Sequence, residues 1–142
     1  MTNDDSEGLV HHPDGGRLVL RLTLGVLLLF HGVSKLIGGI DGITGGLSKA
    51  GVPGALGYLV YIGEVVAPIL LIVGIFSRIG AILVVINMIV ALLLVHSSQL
   101  FTLSKTGGYG LELQAFYLLT AVAVFLLGAG RYSLGGARGR WN

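Results

Sequence analysis

Five ionisable residues, His31, Lys35, Glu64, His96 and Glu112, sit in or at the ends of otherwise apolar stretches of this chain and cluster toward one end of them. In hydrocarbon an ionisable side chain costs at least about 2.5–3.5 kcal/mol near a helix centre, so each needs a partner, a water-filled cavity or a chemical task. Neutral imidazole, with an ordinary pKa of about 6.5, suits hydrogen bonding and proton relay. Two histidines on different helices are also the bare minimum for ligating a haem iron. Nothing in their spacing specifies haem, so relay or hydrogen bonding is the favoured reading. No metal site and no catalytic residue is assigned.

Glu64 is the most informative of the five. Tyr61, Glu64 and Pro68 share one face of a helical stretch, and Pro68 has no N–H, so the carbonyl of Glu64 loses its intrahelical donor and is free for water or a ligand. The plainer reading makes Glu64 a glue between helices, paired with Lys35, His31 or Arg78. Asn87, in mid-span, is expected to form an interhelical hydrogen bond, and Gln114 reads as packing glue. His31 and Lys35 are four residues apart and share a helix face. The expectation is that His31, Lys35, Glu64 and His96 converge on one cavity opening toward the outer face, with Tyr61, Pro68, Asn87 and Arg78 supporting it.

The elements that must position them are membrane spans. Hydrophobic residues make up 54% of the 142, charged residues only 11%, and the mean hydropathy is +0.88, whereas a soluble domain carries roughly 25% charged residues. Four apolar runs, Leu18–Ile37, Ala55–Ile75, Ile79 to about Leu100 and Leu111–Leu127, each approach the roughly 20 residues needed to cross the bilayer. Phe76, Ser77 and Arg78 alone join the second and third, which forces an antiparallel hairpin. The break Gly38–Gly54 is too glycine-rich for a stable helix, although Ile40, Ile43 and Leu47 suit a short interfacial turn capping the bundle. The fold class expected is thus all-α, an antiparallel four-helix bundle in the membrane.

Lysine and arginine set the orientation. Arg17, Arg21, Arg78, Arg131, Arg138 and Arg140 fall on one side, and Lys35, Lys49 and Lys105 on the other, so the positive-inside rule places both termini in the cytoplasm. In that topology His31 lies roughly 9 Å and Glu64 about 14 Å below the outer end of their spans at the helical rise. Residues 1–16 are polar and acidic, lack the pattern of a signal peptide, and read as a flexible tail in which His11 and His12 are a solvated pair. Residues 17–134 form the membrane domain and 135–142 a short basic tail. Without cysteine, disulfides, iron–sulfur clusters and Cys-ligated zinc are excluded, and a formal net charge of +2 is too small to imply nucleic acid.

Several of these residues carry a resemblance. His31-Gly32-Val33-Ser34-Lys35-Leu36, Gly51-Val52-Pro53, Glu64 in mid-span, Gly74-Ile75-Phe76-Ser77-Arg78, and the stretches Gly108–Glu112 and Gly128–Leu134 resemble, in order and spacing, the motifs of the DoxX family of small membrane proteins. Here Gly110-Leu111 separates Tyr109 from Glu112, shifting the glutamate by two positions, and Ala129 stands where the family ending has proline. The resemblance implies a four-helix membrane bundle. It also implies a link to quinone-dependent oxidoreductase assemblies, since the family is named for a subunit of an archaeal quinone-linked thiosulfate-oxidising system.

Three functions compete at this point. The leading one is a small membrane subunit of a redox or stress-related assembly with a quinone-sized pocket lined by His31, Lys35, Glu64 and His96. Such a chain cannot hold an electron by itself, so it is not an enzyme alone and needs a diffusing quinone or an oxidoreductase partner subunit. The second is a proton-coupled transporter of a small solute, for which one narrow four-span chain would need to oligomerise. The third is a structural or assembly role with the polar cluster as glue. The expected partners are the lipid bilayer and further subunits, in a homo-oligomer or hetero-complex.

Overall fold

Apolar residues recurring every three to four positions fold here as helices. The computed structural model describes residues 13–142, so His11 and His12 lie outside the described residues. Within them the elements are α1 (Pro13–Gly38), α2 (Asp41–Lys49), a 3₁₀ helix (Gly54–Leu59), a π-helical turn (Ile62–Val66), α3 (Ala67–Val73), α4 (Ser77–Leu94), a 3₁₀ turn (Ser97–Gln99) and α5 (Glu112–Leu127). No strand is present among the described residues beyond an isolated bridge between Leu103 and Tyr109. The first turn of α1, from Pro13, takes up the last residues of the segment expected to be a tail.

Three helical segments, Pro13–Gly38, Gly54–Val73 and Ser77–Leu94, are long and apolar enough to cross a membrane. The fourth expected span is the shorter α5, of 16 residues, which at the helical rise covers about 24 Å of a roughly 30 Å hydrocarbon core. α1 packs against α3 and α5, and α4 against the same two. Their facing stripes, Leu24 and Leu28, Ala67 and Leu71, Ala81, Val84 and Met88, and Tyr117, Ala121 and Val124, make one buried core at helical spacing. Phe30, Ile37, Phe116, Leu119 and Leu126 point outward and are exposed, the surface expected of helices solvated by lipid.

Three expectations need correction. The second span is not one regular helix: it runs from 3₁₀ through a π turn to α, and Pro68, which cannot donate to the ladder, follows that irregular turn directly. The third span stops at Leu94 rather than near Leu100, because the N–H groups of Val95 and His96 both turn back to the carbonyl of Ala91 and the polar Ser97-Ser98-Gln99 run cannot continue an apolar helix. The glycine-rich break contains the nine-residue α2. Burial of Ile40 and Leu47 and packing against the Gly54–Leu59 helix override its poor helix propensity.

The end of the fold away from α2 is tied together by polar side chains. Arg21, expected to mark topology, is instead fully buried. Its guanidinium donates to the carbonyls of Leu71, Ile72 (2.9 Å) and Tyr132 (2.6 Å), satisfying carbonyls at the C-terminal end of α3 that have no intrahelical donor. Gly74 ends α3 with φ of 76°, a left-handed conformation that glycine adopts without strain. Residues after α5 fold back over this turn. The side chain of Asn142 accepts hydrogen bonds from the N–H and hydroxyl of Ser77, and the N–H of Arg78 donates to Trp141.

Candidate functional site

At the other end, α1, the π turn, α4 and α5 surround a cavity of about 650 Å³. α1 contributes His31 and Lys35, one turn apart on the same face. The π turn contributes Glu64, α4 contributes Asn87, and α5 contributes Gln114 and Tyr117; His96 reaches in from the turn after α4. The rest of the wall is apolar, including Leu28, Leu83 and Met88. A polar cluster with a much larger apolar surround is the usual make-up of a small-molecule site.

Glu64 is 6% exposed and the centre of the cluster. One carboxylate oxygen is ion-paired with the ammonium of Lys35, and the other accepts a hydrogen bond from the amide of Asn87 at 3.4 Å. The hydroxyl of Tyr61 donates to the carbonyl of Lys35 at 3.1 Å, which ties the end of α1 to the second span. His31 meets Tyr117 edge-on, with 5.8 Å between ring centroids. Nδ1 of His96 lies 3.3 Å from the side-chain oxygen of Gln99, and its Nε2 lies 3.5 Å from the side-chain nitrogen of Gln114. That pattern matches the neutral tautomer with its proton on Nδ1, leaving Nε2 as the acceptor.

Two glycines make this geometry reachable. A Cβ on Gly32 would overlap the backbone carbonyl of Glu64, and one on Gly63 would overlap the side chain of Asn87. The carbonyl of Glu64, in the π turn, therefore lies directly against α1. Without a side chain at position 32, α1 comes close enough for Lys35, three residues further on, to reach the carboxylate.

His31, Lys35, Glu64 and His96 thus share one cavity, with Tyr61 and Asn87 in support. Three residues expected with them stand elsewhere. Glu112 opens α5, is exposed, and has its carboxylate over Gly108, beside a shallow groove with Tyr109 and Phe116. Arg78 is the second residue of α4, which starts at the opposite end; its Nε donates to the carbonyl of Asn142 at 3.2 Å and its guanidinium lies over the Phe125 ring. Pro68 is buried and does not line the cavity; its carbonyl lies beside Gly25 of α1. Sequence reasoning assigned Gln114 to packing and passed over Tyr117. Their spacing of three on an otherwise apolar helix was the available signal. Among the described residues no group of three or more His, Asp or Glu is placed to hold a metal ion.

A family model described as DoxX matches residues 16–97, more than half of the chain. No curated protein and no solved structure matches the chain.

Proposed function

The chain belongs to the DoxX family, and we propose that this multi-pass membrane protein is a ligand-binding subunit of a redox or stress-related membrane assembly, its ligand a quinone. One observation carries the reading: a single cavity holds a Lys35–Glu64 ion pair, its carboxylate buried and its lysine half-buried, at its polar end and apolar walls over the rest. The donor set fits such a ring. Lys35 and His31 on α1, and Gln114 on α5, where it is positioned by His96, offer hydrogen bonds from separate walls, as ring carbonyls require.

When bound, the quinone would supply the electron chemistry. The chain's residues bind and orient. Lys35 is held in place by Glu64 and donates to a carbonyl oxygen; Asn87 fixes the second oxygen of Glu64; His31 and Gln114 stand on the α1 and α5 walls as further hydrogen-bonding groups. Protein purified from native membranes should carry a quinone recoverable by organic extraction and mass spectrometry, and should bring down an oxidoreductase subunit. Protein that carries no quinone and recovers no such partner would end this reading.

The same proposal places the four apolar helices as an antiparallel four-span bundle with both termini cytoplasmic. Arg17, Arg78 and Arg131 gather at the end away from the cavity, while Lys35, Lys49 and Lys105 stand toward the other, which supports it through the positive-inside rule. Single cysteines at the exposed Ser48 and Ser104 should react with an impermeant maleimide added outside intact cells. One at the exposed Ala137 should react only after permeabilisation. The reverse pattern would invert the topology.

A further inference from the structure

The helices around the cavity do not close on one another evenly. α4 packs against α3 and the π turn, whereas the Gly54–Leu59 helix that precedes the turn packs against α2 and the turn itself. The first half of the second span therefore parts from the second half of α4. The cavity fills the space between them, and its two rims are Leu59 and Ile62 on one side and Ile86 and Val90 on the other. All four are apolar and all four are 41–56% exposed. They sit in segments long and apolar enough to cross a membrane, so the surface they expose is lipid-facing rather than aqueous.

The neighbouring end is built differently. α2 lies across it, with Ile43 and Leu47 forming part of the cavity wall. α2 is seated tightly: a Cβ on Gly57 would stand 3.0 Å from the Thr44 methyl and 3.4 Å from that of Ile43. An apolar cover at the water-facing end and an apolar cleft at the lipid-facing side are the reverse of what a water-soluble ligand needs.

We propose that the cavity communicates with the bilayer through this lateral cleft, and that its ligand is an amphiphile whose polar head meets Lys35, Glu64 and Asn87 while its apolar chain lies between Leu59 and Ile62 and Ile86 and Val90. The assignment of the head rests on the quinone reading above; the cleft does not. Continuity of the cleft with the polar cluster commits it to the chain of the same molecule. A water-soluble quinone would leave the cleft empty, and its apolar rims would face lipid with nothing gained by lining a cavity.

Two measurements in lipid nanodiscs separate the parts. Because the chain lacks cysteine, single spin labels can be placed at Ile86 on the rim and Leu83 on the cavity wall. Both should be relaxed by oxygen, which partitions into lipid, far more than by a charged nickel chelate; a Leu83 label relaxed mainly by the chelate would overturn the cleft, whatever the ligand. Ile86→Trp and Val90→Trp should each weaken binding of a decyl-tailed benzoquinone by roughly tenfold, about 1.4 kcal/mol, and leave the tailless ring unchanged. Equal loss for both probes, or loss for neither, would overturn the placement of the chain. If neither probe binds the unaltered protein, the quinone reading and the placement of the chain fall together, while the spin-label result still decides the cleft.

Discussion

Lys35→Met should destabilise the protein by about 3 kcal/mol, the lower end of what removing one partner from a buried ion pair costs, because Glu64 is buried while the Lys35 side chain stays 26% exposed. Glu64 is 6% exposed, its second oxygen has only the 3.4 Å bond from Asn87, and a methionine would leave the carboxylate among apolar neighbours. Glu64→Gln should cost less, because the amide can still meet Asn87 and the lysine can swing its charged end along a flexible stem toward water. The double variant, Lys35→Met with Glu64→Gln, should recover much of the single loss, since it removes both charges together. Thermal unfolding in detergent reads the order of the three. A Lys35→Met variant as stable as the unaltered protein would mean that the pair carries no energetic weight. Quinone titration on the same proteins separates binding from glue: the binding reading expects the refolded double variant to lose the ligand, and a purely structural pair expects any bound ligand to stay.

Much of this site is legible in the sequence. Charge is so costly in an apolar span that Glu64 needs a partner, for which the sequence offers Lys35, His31 or Arg78, and the four-residue spacing of His31 and Lys35 puts both on one face. What escaped were features that depend on where backbone groups finish. Arg21 reads as a topology marker because nothing in its neighbourhood says that the last carbonyls of α3, fifty positions on, arrive beside it. α2 reads as loop because three of its nine residues are glycine, and only the buried contacts of Ile40 and Leu47 reverse that propensity. Arg78 and Glu112 were drawn to the site by charge alone. Their positions at the starts of α4 and α5 send the first to the opposite end of the bundle and the second to an exposed turn.

Gly32→Ala should be more damaging than its size suggests, by about 3 kcal/mol, toward the upper end of what overpacking usually costs. An alanine ordinarily favours a helix over glycine by roughly 1 kcal/mol, so the expected sign depends wholly on the contact. The added methyl would overlap the carbonyl carbon and oxygen of Glu64, which belong to the π turn and cannot rotate away as a side chain does. Relief requires α1 and the second span to separate, and that separation also pulls Lys35 from Glu64. Gly25→Ala tests the distinction: its methyl would meet Ile72 Cγ1 at 2.8 Å and the carbonyl of Pro68 at 3.1 Å, and the isoleucine can give, so the loss should be smaller. Gly42→Ala, where nothing stands within 4 Å, should leave the protein as stable or raise its stability through helix propensity. The ranking, Gly32 worst, Gly25 intermediate and Gly42 neutral or stabilising, is read from unfolding midpoints in one detergent. A Gly32→Ala protein that unfolds no earlier than the Gly42→Ala one would show that α1 and the Glu64 carbonyl are not in contact, and the cavity built on that contact would have to be redrawn.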